Sequence, residues 1–228
     1  MNGRSVNLRM TRLPTVGTLA LAASLSLIMS VAHAGILRDV MVSVGLAKPS
    51  PASATPGAGP QSLPRQGYAC CDLRYNKDWI NDGNYAELPM IPVGTPIEVL
   101  SYGRHRAYVK VDGKPMRLGH DYGRGQESLE AWVGKIVLND DPRPRITTYA
   151  PTVQAAIREG KVMVGMTREQ AIAAIGYPLT SENASINDPV WRIWRSSHGE
   201  YQLNFGADGR VKSVTGDDSV TSLVTYRP

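Results

Sequence analysis

The side chains that could do chemistry are few and far apart. His105, His120 and Asp121 lie beside predicted hairpins and together offer the donor types of a metal site. Their spacing lacks the H-x-x-x-H or C-x-x-C order that fixes ligands on one element, so three exposed loop residues are the plainer reading. Ser196, Ser197 and His198 supply hydroxyls and a base, but adjacent side chains in extended chain diverge and do not converge on a substrate. Neither a phosphate-cradling loop nor a nucleophile elbow is present. The expectation is a protein that is not an enzyme, with no metal, no cofactor and no small-molecule substrate. A metal-dependent enzyme built on His105, His120 and Asp121 is kept as the second alternative.

Cys70 and Cys71 stand side by side. Neighbouring Cα atoms across a trans peptide are about 3.8 Å apart, closer than the roughly 4.4–6.8 Å that disulfides usually span. In a strand the two side chains would also point to opposite faces. One buried and one outward thiol is therefore expected, with an intermolecular bridge or a vicinal ring as alternatives.

Arg192 and Trp194 are the residues best suited to binding. Strand alternation sends Trp191 and Ile193 one way and Arg192, Trp194 and Ser196 the other. Arg and Trp are strongly enriched at interface hot spots. With Tyr201 on the next strand they make up the expected partner-binding surface. The alternative for Trp194 is cover by the first folded unit or by a C-terminal strand.

Such a surface needs a sheet to present it and helices behind it. Residues 190–196, 200–205 and 210–214 read as strands, turned by His198-Gly199 and by Ala207-Asp208-Gly209. Residues 220–226 read as a further edge strand. Two helices precede them. The first starts at Pro151, carries Val153, Ala156 and Ile157 on one face, and stops at Gly160. The second lies within residues 161–178, KVMVGMTREQAIAAIGYP. Thr167 and Gln170 have the spacing of a capping box, and Met166 and Ala171 that of a hydrophobic staple. Ala171, Ile172 and Ile175 form its apolar stripe. Gly176 supplies the left-handed stop and Pro178 forbids a restart. A helix this short is marginal in water and must pack on something.

An earlier unit begins near Gly67. Residues 68–75 read as one strand, and residues 76–92 as a turn-rich stretch anchored by Trp79, Ile80, Tyr85 and Leu88. Residues 96–102, 106–111 and 114–118 read as three strands, the last two joined by Asp112-Gly113, a strong hairpin signal. Residues 127–136 place Leu129, Trp132, Val133 and Ile136 at helical spacing, with Trp132 expected between the two units. Residues 137–148 form a connector.

Charge and compartment narrow the function further. Residues 1–34 contain Arg4, Arg9 and Arg12, no acid, an apolar run and Ala32-His33-Ala34, the layout of a secretory signal peptide cut after Ala34. The chain has 25 basic and 20 acidic residues, and removing those three arginines leaves 22 against 20. That near balance, with no dense basic block, argues against nucleic acid. Residues 35–66 are Pro/Ala/Ser/Gly-rich in their second half and read as a flexible linker.

The second unit resembles the SmpA/OmlA family, the BamE-like outer-membrane assembly factors. Gly165, Met166, Thr167 and Gln170 match the family's helix signature, and Gly176 and Pro178 its Gly-x-Pro. Trp191 and Ile193 fall where the family has an aromatic pair. Phe205, Asp208, Gly209 and Val211 resemble its strand-turn motif. The stretch 94–119 resembles a small SH3-like barrel of the bacterial type. These resemblances imply an α+β fold. A small SH3-like β unit (67–125) and a connecting helix and loop (126–147) would precede a BamE-like unit (148–228) with two helices on a three-stranded antiparallel sheet. They imply a periplasmic protein that binds an envelope protein in outer-membrane assembly or maintenance. Family members are anchored through a Cys directly after the signal. Gly35 stands at that place, so peripheral association with the outer membrane would run through a partner or a retained signal segment. The first alternative is an inhibitor or a cell-wall-binding sensor module.

Overall fold

The structure is a computed structural model and describes residues 65–121 and 125–228. The expected signal segment, and the linker as far as residue 64, lie outside the described residues.

The first half is a curled sheet. Its strands are β1 (Arg65–Ala69), β2 (Leu73–Asn76), β3 (Trp79–Asn81), β4 (Met90–Ile91), β5 (Pro96–Tyr102), β6 (Arg106–Val111) and β7 (Lys114–Gly119). After α1 (Leu129–Ile136), β8 (Val137–Leu138) returns to complete the order β4-β2-β3-β7-β6-β5-β1-β8. β3 and β7 pair in parallel, and the other neighbours pair antiparallel. The central hairpin follows the expected alternation: Ala107, Val109 and Val111 are buried while Tyr108 is 46% exposed. Asp112 and Gly113 both take positive φ, 48° and 77°, the conformation a two-residue hairpin loop needs. The inner faces of β5, β6 and β7 bring Ile97, Val99, Val109 and Leu118 into one core.

Four expectations for this half are corrected. The strand expected over 68–75 breaks after Ala69, and β1 already begins at Arg65. Cys70 and Cys71 form the break: they are joined as a vicinal disulfide, and both are buried, at 7% and 0% exposure. The prediction of one outward thiol assumed extended backbone. The pair instead occupies a bend, and the Asp72 N–H just beyond it leaves the sheet to donate to the Ala173 carbonyl. Of the four anchors expected in residues 76–92, Ile80 alone is fully buried. Trp79 lies half-exposed between the guanidinium groups of Arg106 and Arg117, 4.9 and 5.5 Å from its ring. Trp132 belongs to the core of this half and leans on His120 at 5.0 Å; it does not pack between the halves.

The connector contains a short helical turn, α2 (Arg143–Ile146). Then come α3 (Pro151–Arg158) and α4 (Arg168–Ile175). Pro151 opens α3, where its missing N–H costs nothing. α4 has the complete capping box: the Thr167 hydroxyl accepts from the Gln170 N–H and the Gln170 side chain accepts from the Thr167 N–H. Gly176 ends it at φ 80°. The strands β9 (Val190–Trp194), β10 (Glu200–Phe205) and β11 (Val211–Gly216) form a separate antiparallel sheet ordered β11-β10-β9. The second core joins Ala156 and Ile157 of α3 and Ala171 and Ala174 of α4 to Trp191, Leu203 and Phe205. The chain is therefore α+β. The expected C-terminal edge strand is instead a helix, α5 (Asp218–Val224). Asp217 caps it by accepting from the Ser219 N–H, a local bond that outcompetes strand pairing.

α4 is buried on more sides than its predicted stripe. Ala171, Ala173, Ala174 and Ile175 are all buried, and Ile172 packs against both cores. The reason is a double contact. One side faces the three-stranded sheet, and the other meets the first half, where Asn84 donates to the Ile175 carbonyl at 2.7 Å.

Candidate functional site

The two faces of the small sheet differ as alternation requires. Trp191, Ile193, Tyr201, Leu203 and Phe205 point into the second core. Val190, Arg192 and Trp194 run along β9 on the other face, opposite Asn204, Gln202 and Glu200 respectively. The structure thus brings Arg192 and Trp194 together and removes Tyr201. Tyr201 is 1% exposed, so it is corrected from the expected surface to the core. Its neighbour across the strands is Ile193, and that register already assigns it to the covered side.

The open face is polar and internally paired. Arg192 Nε lies 3.1 Å from Glu200 Oε1. The Trp194 indole N–H donates to Glu182 at 2.7 Å. Asn204 donates to the Thr215 hydroxyl at 3.0 Å. Trp194 is half-buried and lines a crevice together with Asp82, Gly83, Asn84 and Tyr177. The loop before β4 reaches the same strand end, where the Glu87 N–H donates to the Arg195 carbonyl. Cover of Trp194 by the first unit is therefore partial, and Arg192 stays exposed.

The other sequence candidates separate. His105 is exposed. His120 is half-buried, with Nδ1 3.1 Å from Asp82, a carboxylate whose side chain is 3% exposed. Asp121 turns elsewhere and accepts from the indole N–H of Trp79 and from Asn81. No group of three His, Cys, Asp or Glu side chains among the described residues is placed to hold a metal ion. The Ser197 hydroxyl and His198 Nδ1 are 3.0 Å apart on an exposed turn.

Polar groups that sequence reasoning missed concentrate where the two halves meet. Asp72 is 1% exposed; its Oδ1 accepts from the Val93 N–H at 2.8 Å, and its Oδ2 has no partner among the described residues. Burial raises its carboxyl to about 7, against the Val93 N–H and the Arg74 charge, which both pull it down. Arg74 is itself buried and reaches the carbonyls of Leu88 and Gly160. Burial lowers its guanidinium, while Asp72 and Tyr201 oppose the shift. Burial likewise pushes the Tyr201 phenol up. The signal for Asp72 was a single acid directly after an uncharged run, Tyr68-Ala69-Cys70-Cys71.

A cleft of about 730 Å³ lies beside this seam, with Cys70, Arg145, Tyr149, Glu169 and Tyr177 among its walls. Two of its charges are paired with each other: Arg145 and Glu169 are 2.8 Å apart, and the Tyr149 hydroxyl donates to Glu169 at 2.8 Å. Burial and that carboxylate push the Tyr149 phenol up to about 12. No helix among the described residues is long and apolar enough to cross a membrane. No protein-family model matches the chain, and neither a curated protein nor a solved structure does.

Proposed function

We propose that the chain is an exported, non-catalytic envelope protein whose second half is a BamE-like unit that docks a protein partner in outer-membrane assembly or maintenance. The observation that carries this reading is the placement of Arg192 and Trp194 together on the uncovered face of the three-stranded sheet. Trp194 suits docking because its indole N–H already has Glu182, so a partner can cover the ring without stranding a donor. Arg192 suits it because its pair with Glu200 is exposed. Such pairs contribute little, so a partner carboxylate can take the guanidinium over. The helix signature around Thr167 and the leader-like residues 1–34 support the family and the compartment. Gly35 in place of a lipidated Cys makes the association with the outer membrane peripheral in this reading.

The test is cross-linking in envelope extracts with the wild-type chain and with the double variant Arg192→Ala/Trp194→Ala. The expected result is one discrete cross-linked product, lost in the variant while its unfolding midpoint stays close to wild type. An identical product from the variant would overturn the reading.

A further inference from the structure

Cys70 and Cys71 make the bend between β1 and β2, and the bond between them imposes it. Extended chain sends adjacent side chains to opposite faces, so two neighbouring residues joined through their sulfurs exclude a continuous strand. The bend decides where the chain goes next. Before it, the Cys70 N–H donates to the Ile136 carbonyl at 2.9 Å, within the first half. After it, the Asp72 N–H donates to the Ala173 carbonyl of α4 at 3.0 Å. One residue beyond the disulfide, the chain is thus tied to the second half.

Asp72 does not rest easily there. Its side chain is buried, and Oδ2 has no partner among the described residues. A buried polar atom without a hydrogen bond is costly, so this carboxyl gains by moving to water once the chain beside it is free. The disulfide that holds the chain is approached from one side. Cys71 has 0% exposure, whereas Cys70 is 7% exposed and forms part of the wall of the cleft of about 730 Å³, together with Ile172 and Ala173 of α4. A cleft of that size is in the range of small-molecule sites.

We propose that Cys70–Cys71 is a redox-switched tether, which a dithiol opens from the cleft, releasing Asp72 from Ala173 and loosening the seam between the halves. A thiolate of the dithiol attacks the Cys70 sulfur, the Cys70–Cys71 bond breaks, and Cys71 leaves as a thiolate that takes up a proton. The second thiol of the reductant then loses its proton, displaces Cys70 from the mixed disulfide and closes a disulfide of its own. Cys70 takes up the second proton. The reductant has lost two electrons and the chain has gained two thiols. A dithiol is required because a monothiol would stop at the mixed disulfide on Cys70, and the adjacent Cys71 thiol would attack it and close the ring again. Arg192 and Trp194 do not line this cleft, so neither proposal depends on the other.

The test treats the full chain under native conditions with dithiothreitol, and separately with 2-mercaptoethanol at equal thiol concentration. New thiols are alkylated and counted by mass, and amide hydrogen exchange is followed by residue. Dithiothreitol is expected to yield two alkylated cysteines in a chain that keeps its far-ultraviolet circular dichroism, and 2-mercaptoethanol far fewer. The Asp72 amide should then exchange about tenfold faster, the scale of one lost hydrogen bond, while the amides between β6 and β7 stay unchanged. The double variant Cys70→Ser/Cys71→Ser should show the faster Asp72 exchange without any reductant. The proposal is overturned if the pair resists dithiothreitol until urea unfolds the chain, if reduction unfolds the whole chain, or if the two reductants act alike. It is equally overturned if the reduced or doubly substituted folded chain protects the Asp72 amide as the oxidised chain does. The wild-type readings decide the matter even where the variant fails to fold.

Discussion

The two faces of the three-stranded sheet are made from the same strands and do opposite work. On the covered face Trp191 has 0% exposure, meets Phe205 edge-on at 4.6 Å and gives its indole N–H to the Ile186 carbonyl. On the open face Trp194, three residues later, also has its N–H satisfied, but by an acidic side chain, and its ring is half in solvent. The same residue type is thus core on one side and available surface on the other. Register alone decides which, because a strand alternates with period two.

Tryptophan replacement sharpens that contrast most. Trp191→Ala should cost about 3–5 kcal/mol in urea unfolding, from lost burial and the cavity left behind. Trp194→Ala should cost about 1 kcal/mol or less. Equal losses would mean that both rings are core and that the open face is closed.

The seam between the two halves should carry a pH signature of its own. Asp72 holds its proton in the folded chain to about pH 7, against an ordinary value of 3.8. Between those limits the native state binds more protons than the unfolded one, so this group's contribution falls as pH rises. Asp72→Asn removes the penalty. Its stability relative to wild type should therefore grow by roughly 2–4 kcal/mol between pH 4 and pH 8. A flat difference for Asp72→Asn would show that its carboxyl is ionised and solvated.

The smallest effect expected is at the lid of the covered face. Thr167→Ala removes the hydroxyl that caps α4 and should cost about 1 kcal/mol. Thr167→Ser keeps the acceptor and should recover most of it. An unchanged midpoint for the Ala variant would mean that packing alone holds the helix.

Where local chemistry decides, the sequence was readable. The Thr167–Gln170 box, the Asp112-Gly113 turn and the alternation of Ala107, Val109 and Val111 each depend on residues a few positions apart. What could not be read was set by distant partners. Tyr201 lies in the core through its pairing with Ile193 on the neighbouring strand. Residues 220–226 resembled a strand by composition, but the cap at Asp217 decides their state. Asp82 beside His120 and Asp72 beside the Val93 N–H are brought there by strand pairing, which no spacing along the chain encodes. The cysteine pair defeated a geometric rule of thumb because the backbone bends at the pair itself.

Gly160 carries a wider consequence. It takes φ 62° at the end of α3, and a methyl group added there would occupy the place of the Arg74 guanidinium, which comes from the other sheet. The stop signal of one helix is thus also the seat of a cation owned by a different layer of the molecule. Grafting the first half onto a foreign partner would strand that cation in a dry interior, and the second half alone would lose the donor on its Gly160 carbonyl, so the two halves should melt together.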